Sequence, residues 1–234
     1  MAAVTPRYDA VIFDLFGTLV YEFPRSDWDE WLDASAAVLE VDRGAYLDGW
    51  SATAIDRQIG RVGDMAEHVR TLAARAGGWP GESQVAEVLE MRTALYRKWF
   101  EPRAGALEIV GEMRDRGMPT ALISMCAPDT PALWRSSPFA GLLDVEVFSC
   151  EVSLRKPEPE NYLKACLLLG VEASDCFYVG DGAYSELSGA TAVGMTAVLI
   201  RDPADADVEA LRPEAEDWDV VIADLREITA LVFE

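Results

Sequence analysis

The sequence predicts an α/β fold, a doubly wound parallel sheet with an all-helical domain inserted behind its first strand. Three observations predict it. Beyond about residue 103, short apolar runs alternate with helical stretches of roughly 10 to 15 residues, the pattern of right-handed βαβ units. Between about 26 and 100 no strand signal interrupts four helical stretches. A strand signal precedes that block, so the helices interrupt the sheet instead of starting a separate chain segment. We expect a Rossmann-like core over 1–20 and 102–234 and the helical domain over 21–101, a division that 234 residues accommodate.

Tyr8 to Asp14 reads YDAVIFD, a β-branched run that ends on an acid and is followed by Gly17 and Thr18, a strand leaving into a turn. Trp28, Trp31, Leu32, Val38 and Leu39 then recur at helical spacing, and Ser26 with Asp29 reads as a capping pair at the start of that helix. Further helices are expected near 45–59, 64–76 and 83–100, with Gly77, Gly78, Pro80 and Gly81 separating the last two. A helix near 104–116, a strand from Thr120 to Ser124, a short helix near 130–136 and a strand from Val145 to Ser149 follow. The alternation continues with a helix from Pro159 to Leu169, a strand from Cys176 to Gly180 and a helix from Ser185 to Val193. Strands Thr196 to Ile200 and Val220 to Ala223 close it, and Asp224 with Glu227 caps the last helix. The acid-rich stretch from Asp202 to Asp219 reads as a solvated loop.

Twenty Lys plus Arg face 41 Asp plus Glu, a formal charge of −21. Such a field repels polyanions, so no nucleic-acid partner is expected, and any anionic ligand must be held by local features: a metal ion, a lysine or oriented backbone N–H groups. The longest apolar run, Gly189 to Ile200, is far short of the ~20 residues that span a bilayer, and Met1 to Asp9 has no apolar leader region. A cytoplasmic protein without a membrane span is expected. The four cysteines, at 126, 150, 166 and 176, fit no CxxC or zinc pattern and read as buried free thiols. Only three lysines occur (Lys98, Lys156, Lys164) against 17 arginines, which singles each of them out.

In an open parallel sheet, ligands bind beyond the carboxyl ends of the strands. The polar residues there are Asp14 and Thr18 after the first strand, Ser124 after the second, Lys156 beyond the third, and Asp181 with Glu186 after the fourth. Carboxylates this close repel one another unless a cation sits among them, and Mg²⁺ is the hard, oxygen-seeking ion that suits such a cage. His68, the only histidine, falls on a polar helix face and reads as structural, so no Ser-His-Asp triad is built on it. Trp28, Trp31, Trp50, Trp79 and Trp99 lie in the helical domain, as its core or as the lining of an aromatic pocket. Cys126, two residues after Ser124, reads as an inert thiol facing the crevice.

In this order the residues resemble the motifs of the haloacid dehalogenase superfamily of hydrolases. Asp14-Leu15-Phe16-Gly17-Thr18-Leu19 resembles the nucleophile motif and Ile123-Ser124 the second. Arg155-Lys156-Pro157-Glu158-Pro159 resembles the third, and Gly180-Asp181-Gly182 with Glu186 the acidic fourth. The resemblance covers about 1–20 and 102–200, and the helical block stands where the family has a cap. It implies phosphoryl transfer from a small phosphorylated metabolite through an aspartyl phosphate on Asp14. It also implies Mg²⁺ held by Asp14, the Phe16 carbonyl, Asp181 and, directly or through water, Glu186. Ser124 and the N–H groups near Gly17 and Thr18 would hold phosphoryl oxygens, and Lys156 would neutralise charge growing in the transition state.

One position departs from the pattern. Family phosphatases usually carry an Asp two residues after the nucleophile, as acid and then base, and here that residue is Phe16. A positioned acid contributes roughly 10²- to 10⁴-fold, so its absence implies a slow phosphatase or one using a good leaving group. Dehalogenases of 2-halo acids have an aromatic residue at this point because halide departs unprotonated, yet a metal-free attack on carbon has no need of Asp181 and Glu186. A phosphonate hydrolase would need a Schiff-base lysine from the cap, for which the block offers only Lys98. A member that binds a phosphorylated ligand or a protein partner without turnover is the non-enzymatic alternative.

Overall fold

In the computed structural model, which describes residues 6–21, 24–201 and 218–233, the sheet is organised around its first strand. That strand, β1 (Ala10–Phe13), is buried along its whole length. It pairs in parallel with β2 (Thr120–Ser124) on one side and with β4 (Cys176–Gly180) on the other. Adding β3 (Val145–Phe148), β5 (Thr196–Ile200) and β6 (Val221–Ile222) gives the order β3-β2-β1-β4-β5-β6, with every neighbouring pair parallel. β1, β2, β4 and β5 read as near-continuous apolar runs because helices cover both faces of the sheet.

The two-residue period of β1 divides its side chains between those faces. Val11 and Phe13 pack with Ile109 and Val110 of α6 (Ala106–Asp115) and with Ile228 and Val232 of α11 (Ile228–Phe233). Ala10 and Ile12 pack with Tyr162 and Ala165 of α9 (Pro159–Leu169) and with Leu187 and Ala190 of α10 (Glu186–Ala192). Full burial of a side chain such as Ile12 or Phe13 contributes about 1.5–3 kcal/mol, so the middle of the sheet is held from both sides. Short helices α7 (Thr130–Trp134) and α8 (Ser149–Val152) follow β2 and β3.

Between β1 and α6 the described residues form five helices: α1 (Arg25–Val38), α2 (Arg43–Ala52), α3 (Ala54–Gln58), α4 (Met65–Arg75) and α5 (Glu82–Trp99). They enclose an apolar cluster of their own, with Trp31, Trp50, Val69, Leu72 and Val88 among its buried members.

Several local expectations are corrected. Helix α1 begins at Arg25 behind an extended Pro24, and no side chain caps it, so the Ser26–Asp29 capping pair does not form. The helix expected over 45–59 is divided at Thr53, whose backbone leaves the helical region at φ −103° and ψ 12°. There the Thr53 hydroxyl donates to the Gly49 carbonyl at 2.7 Å, and the Arg57 guanidinium takes the Trp50 carbonyl at 2.6 Å. Side-chain donors of this kind compete with the helical ladder. His68 lies not on a polar face but buried at 4% exposure, edge-on to Trp50 with ring centres 5.0 Å apart. Burial and the charges of Arg57 and Arg92 push it down to about 4, so it is neutral at pH 7. The cysteines are free, but Cys150 is only half-buried.

Asp224 and Glu227 do form their capping box, around a tight turn over Leu225–Glu227 that leads into α11. Most of the acid-rich stretch, residues 202–217, lies outside the described residues. Among the described residues no helix is long and apolar enough to cross a membrane.

Candidate active site

The strand order reverses between β1 and β4, and the loops leaving those strands part to form a crevice at the carboxyl edge of the sheet. Asp14 follows β1 directly, with its N–H anchored on the Val179 carbonyl of β4 at 2.9 Å. Asp181 follows β4, and Glu186 opens α10. Two glycines let these acids converge. A Cβ on Gly17, which also has φ +80°, would fall 2.2 Å from Asp181 Oδ2. A Cβ on Gly180 would fall 2.2 Å from Glu186 Oε1. With both positions bare, one carboxylate oxygen each of Asp14, Asp181 and Glu186 lies within 4.8 Å of the others.

Lys156 enters from the segment before α9. Its Nζ, buried at 1% exposure, donates to Asp14 Oδ1 and to Glu186 Oε2, each at 2.5 Å. Glu186 Oε2 also accepts from the Tyr178 hydroxyl at 2.7 Å, and Oε1 accepts from the Gly182 N–H at 3.1 Å. Glu186 is thus held by three protein donors and fixes the lysine. Tyr178, a mid-strand residue of β4, was not legible as a site residue in the sequence.

Burial dominates the electrostatics. It raises Asp14 to about 6, with the Glu186 charge adding to the rise and Lys156 opposing it. Burial likewise raises Glu186 against the pull of Lys156, while the two carboxylates hold Lys156 above its ordinary value despite its burial. At pH 7 Asp14 is therefore mostly ionised, with Oδ1 committed to Lys156 and Oδ2 buried without a hydrogen-bond partner. The all-oxygen donor set and the orphaned Asp14 Oδ2 fit a hard divalent cation such as Mg²⁺.

The other sequence candidates divide into two groups. Thr18 and Ser124 are completely buried at the ends of β1 and β2, and the Oγ1 of one and Oγ of the other have no hydrogen-bond partner. Buried hydroxyls left open in this way suit a ligand that brings its own acceptors. Phe16 lines the crevice and packs edge-on against Tyr96 and Phe100, with ring centres at 6.4 and 5.7 Å. Among the described residues the acids that line the cavity are Asp14, Asp29 and Glu186.

Asp14, Phe16, Lys156 and Glu186 form the sheet side of a cavity of about 440 Å³. Its opposite wall comes from the helical block and includes Trp28, Trp50, Arg57 and Arg92. Cys126 also lines it, whereas Lys98, Trp79 and His68 do not. Lys98 is instead an exposed residue paired with Asp27 at 2.7 Å, which removes the structural basis for a Schiff-base lysine. Arg57 and Arg92 were not found by sequence reasoning.

Comparison with known proteins bears on this geometry. The family profile described as haloacid dehalogenase-like hydrolase matches residues 8–194. Hexitol phosphatase A of Escherichia coli (strain K12) is 28% identical over 227 residues, covering 95% of this chain and 94% of that protein. Among solved structures, the HAD phosphatase from Thermococcus onnurineus superposes with a TM-score of 0.65 at 21% identity, over 95% of this chain and 97% of that one. The L-2-haloacid dehalogenase from Xanthobacter autotrophicus with chloropropionic acid covalently bound gives 0.60 at 19% identity, over 96% and 98%. At these identities the two structures establish the shared fold.

Proposed function

The chain belongs to the haloacid dehalogenase-like hydrolases, and from that premise we propose that it hydrolyses a small phosphate monoester with Asp14 as nucleophile and Mg²⁺ as cofactor. The observation that carries this reading is Asp14 itself. It is a buried, mostly ionised carboxylate with one oxygen tied to Lys156 and the other unpartnered, beside two further acids.

The Asp14 carboxylate attacks phosphorus, the P–O bond to the leaving oxygen breaks with its electron pair going to that oxygen, and water then hydrolyses the aspartyl phosphate to free phosphate and restore the carboxylate. Lys156 keeps Oδ1 in place, so the attacking oxygen is presented in one orientation. The hydroxyls of Thr18 and Ser124 supply donors for the phosphoryl oxygens. Asp14, Asp181 and the carbonyl of Phe16 would hold Mg²⁺, with Glu186 acting through water because its oxygens already serve Lys156, Tyr178 and Gly182. When bound, the ion offsets the repulsion between the carboxylates and the incoming phosphate. The phosphatase activity named for the Escherichia coli relative supports attack on phosphorus.

Phe16 favours a second reading, attack on the carbon of a 2-halo acid, in which no proton need reach the leaving group. The three converging acids weigh against it. Assay with p-nitrophenyl phosphate, with Mg²⁺ and then with a chelator, separates the two. Turnover that requires the metal is expected, and chloride release from 2-chloropropionate without metal would select the dehalogenase instead.

The same assay tests the cost of lacking an acid. Phe16→Asp is expected to raise hydrolysis of an alkyl phosphate by about 10²-fold while changing p-nitrophenyl phosphate little, because p-nitrophenolate leaves unaided. Equal changes for both esters would show that Phe16 does not stand in for an acid.

A further inference from the structure

The helical wall of the cavity holds buried positive charge that its own residues do not neutralise. Arg92 is 1% exposed, with Nε and Nη2 donating to Asp129 at 2.5 and 3.1 Å and Nη2 also reaching the Tyr96 hydroxyl at 2.8 Å. Its third nitrogen, Nη1, is buried without a hydrogen-bond partner. Arg57 donates from Nη1 to two neutral acceptors, the Trp50 carbonyl at 2.6 Å and the Thr53 hydroxyl at 2.9 Å. Both guanidiniums lie over the Trp50 ring, with central carbons 4.4 and 5.6 Å from its centre.

Among the described residues, the two guanidiniums share the one hydrogen-bonded carboxylate of Asp129, which leaves one positive charge over. Arg25 and Asp29, which also line the cavity, pair with each other at 3.7 Å at the exposed mouth. His68 is neutral, and the strain of the cluster shows in Arg57, which burial and the Arg92 charge push down to about 10. The cavity is thus bipolar: a cation-seeking pole at Asp14 and an anion-seeking pole at Arg92, in a chain whose net charge is −21. An orphaned buried guanidinium N–H is costly unless a ligand supplies the acceptor.

We propose that Arg92, with Arg57 beside it, is a carboxylate subsite, so that the preferred substrates are small phosphate esters of hydroxy acids. The phosphoryl end lies at Asp14 and the carboxylate end against the helical wall. One surplus positive charge matches a single carboxylate better than a dianionic second phosphate. This rests on the phosphatase reading for which end of the substrate enters first, but Asp14→Asn protein permits a binding test that needs no turnover.

The probes are 3-phosphoglycerate and glycerol 3-phosphate, which differ in the carboxylate, titrated calorimetrically into Asp14→Asn protein in Mg²⁺. The carboxylate-bearing probe is expected to bind about ten-fold or more tightly, the factor that one charge-assisted hydrogen bond supports. Adding Arg92→Met should bring the two affinities together, Arg92→Lys should retain part of the difference, and Arg57→Met should reduce it. Equal affinities in the parent protein would overturn the proposal, as would a preference untouched by both Arg92→Met and Arg57→Met. If Arg92→Met does not fold, the parent comparison and Arg57→Met decide. Failure of metal-dependent p-nitrophenyl phosphate turnover by the wild type would instead strike the phosphatase reading, because that ester has no carboxylate.

Discussion

Asp14→Asn is expected to lower kcat for p-nitrophenyl phosphate by about 10⁴-fold or more, the scale on which an essential nucleophile is lost. Asparagine keeps the shape of the side chain and an oxygen able to accept from Lys156. It removes the charge, which burial already disfavours in the metal-free protein by raising Asp14 to about 6. The melting temperature at pH 8 in a chelator should therefore hold or rise while activity disappears. A variant that loses both together would mark Asp14 as a structural acid and not a nucleophile.

Lys156→Met is expected to act in the opposite sense on stability. Lys156 is the buried cation that bridges Asp14 and Glu186, and breaking a buried pair by removing one partner costs about 3–5 kcal/mol. The pH dependence carries a definite sign. A carboxyl whose folded pKa exceeds its unfolded value favours folding fully below the unfolded value and loses that contribution as pH rises through the folded one. Asp14 and Glu186 are already raised with the lysine present, and without it both rise further. Metal-free Lys156→Met should therefore be most stable near pH 4 and weaken steeply as the pH passes 6, more steeply than the wild type. Thermal melts in a chelator across that range read the difference. A variant whose loss of stability is the same at every pH would show that the lysine contributes packing and not charge. Activity should also fall, by about 10²-fold or more, because the attacking carboxylate loses the group that orients it.

How far the molecule was legible depended on whether the signal was local. The strands could be read because β1, β2, β4 and β5 are short apolar runs buried on both faces, each leading into a polar residue or glycine-bearing turn. Asp14, Lys156, Asp181 and Glu186 could be read because strand ends in an open sheet share one edge, and the structure brings the four together. Thr18 and Ser124 were legible as polar residues at those ends, but only the structure shows their hydroxyls to be buried and open. The start of α1 was misplaced because Pro24 sets the extended residue ahead of a helix that no side chain caps.

Arg57 and Arg92 escaped for a different reason. In a chain with 17 arginines the residue type alone carries no signal. A positional one existed: Arg92 falls on the buried stripe of α5 formed by Val85, Val88, Tyr96 and Trp99. A charge on such a stripe is rarely buried without a partner. Arg57 had no comparable cue, because its place depends on the break at Thr53 that ends α2.

The central claim is that Asp14 forms a covalent bond to phosphorus. Wild-type protein incubated with p-nitrophenyl phosphate and Mg²⁺, quenched in acid during turnover and digested, can be mapped by mass spectrometry for a phosphoryl adduct. The account predicts the adduct on the carboxylate of Asp14, and none when Mg²⁺ is chelated. Sustained metal-dependent turnover with that peptide unmodified, or with the adduct on another residue, would contradict it.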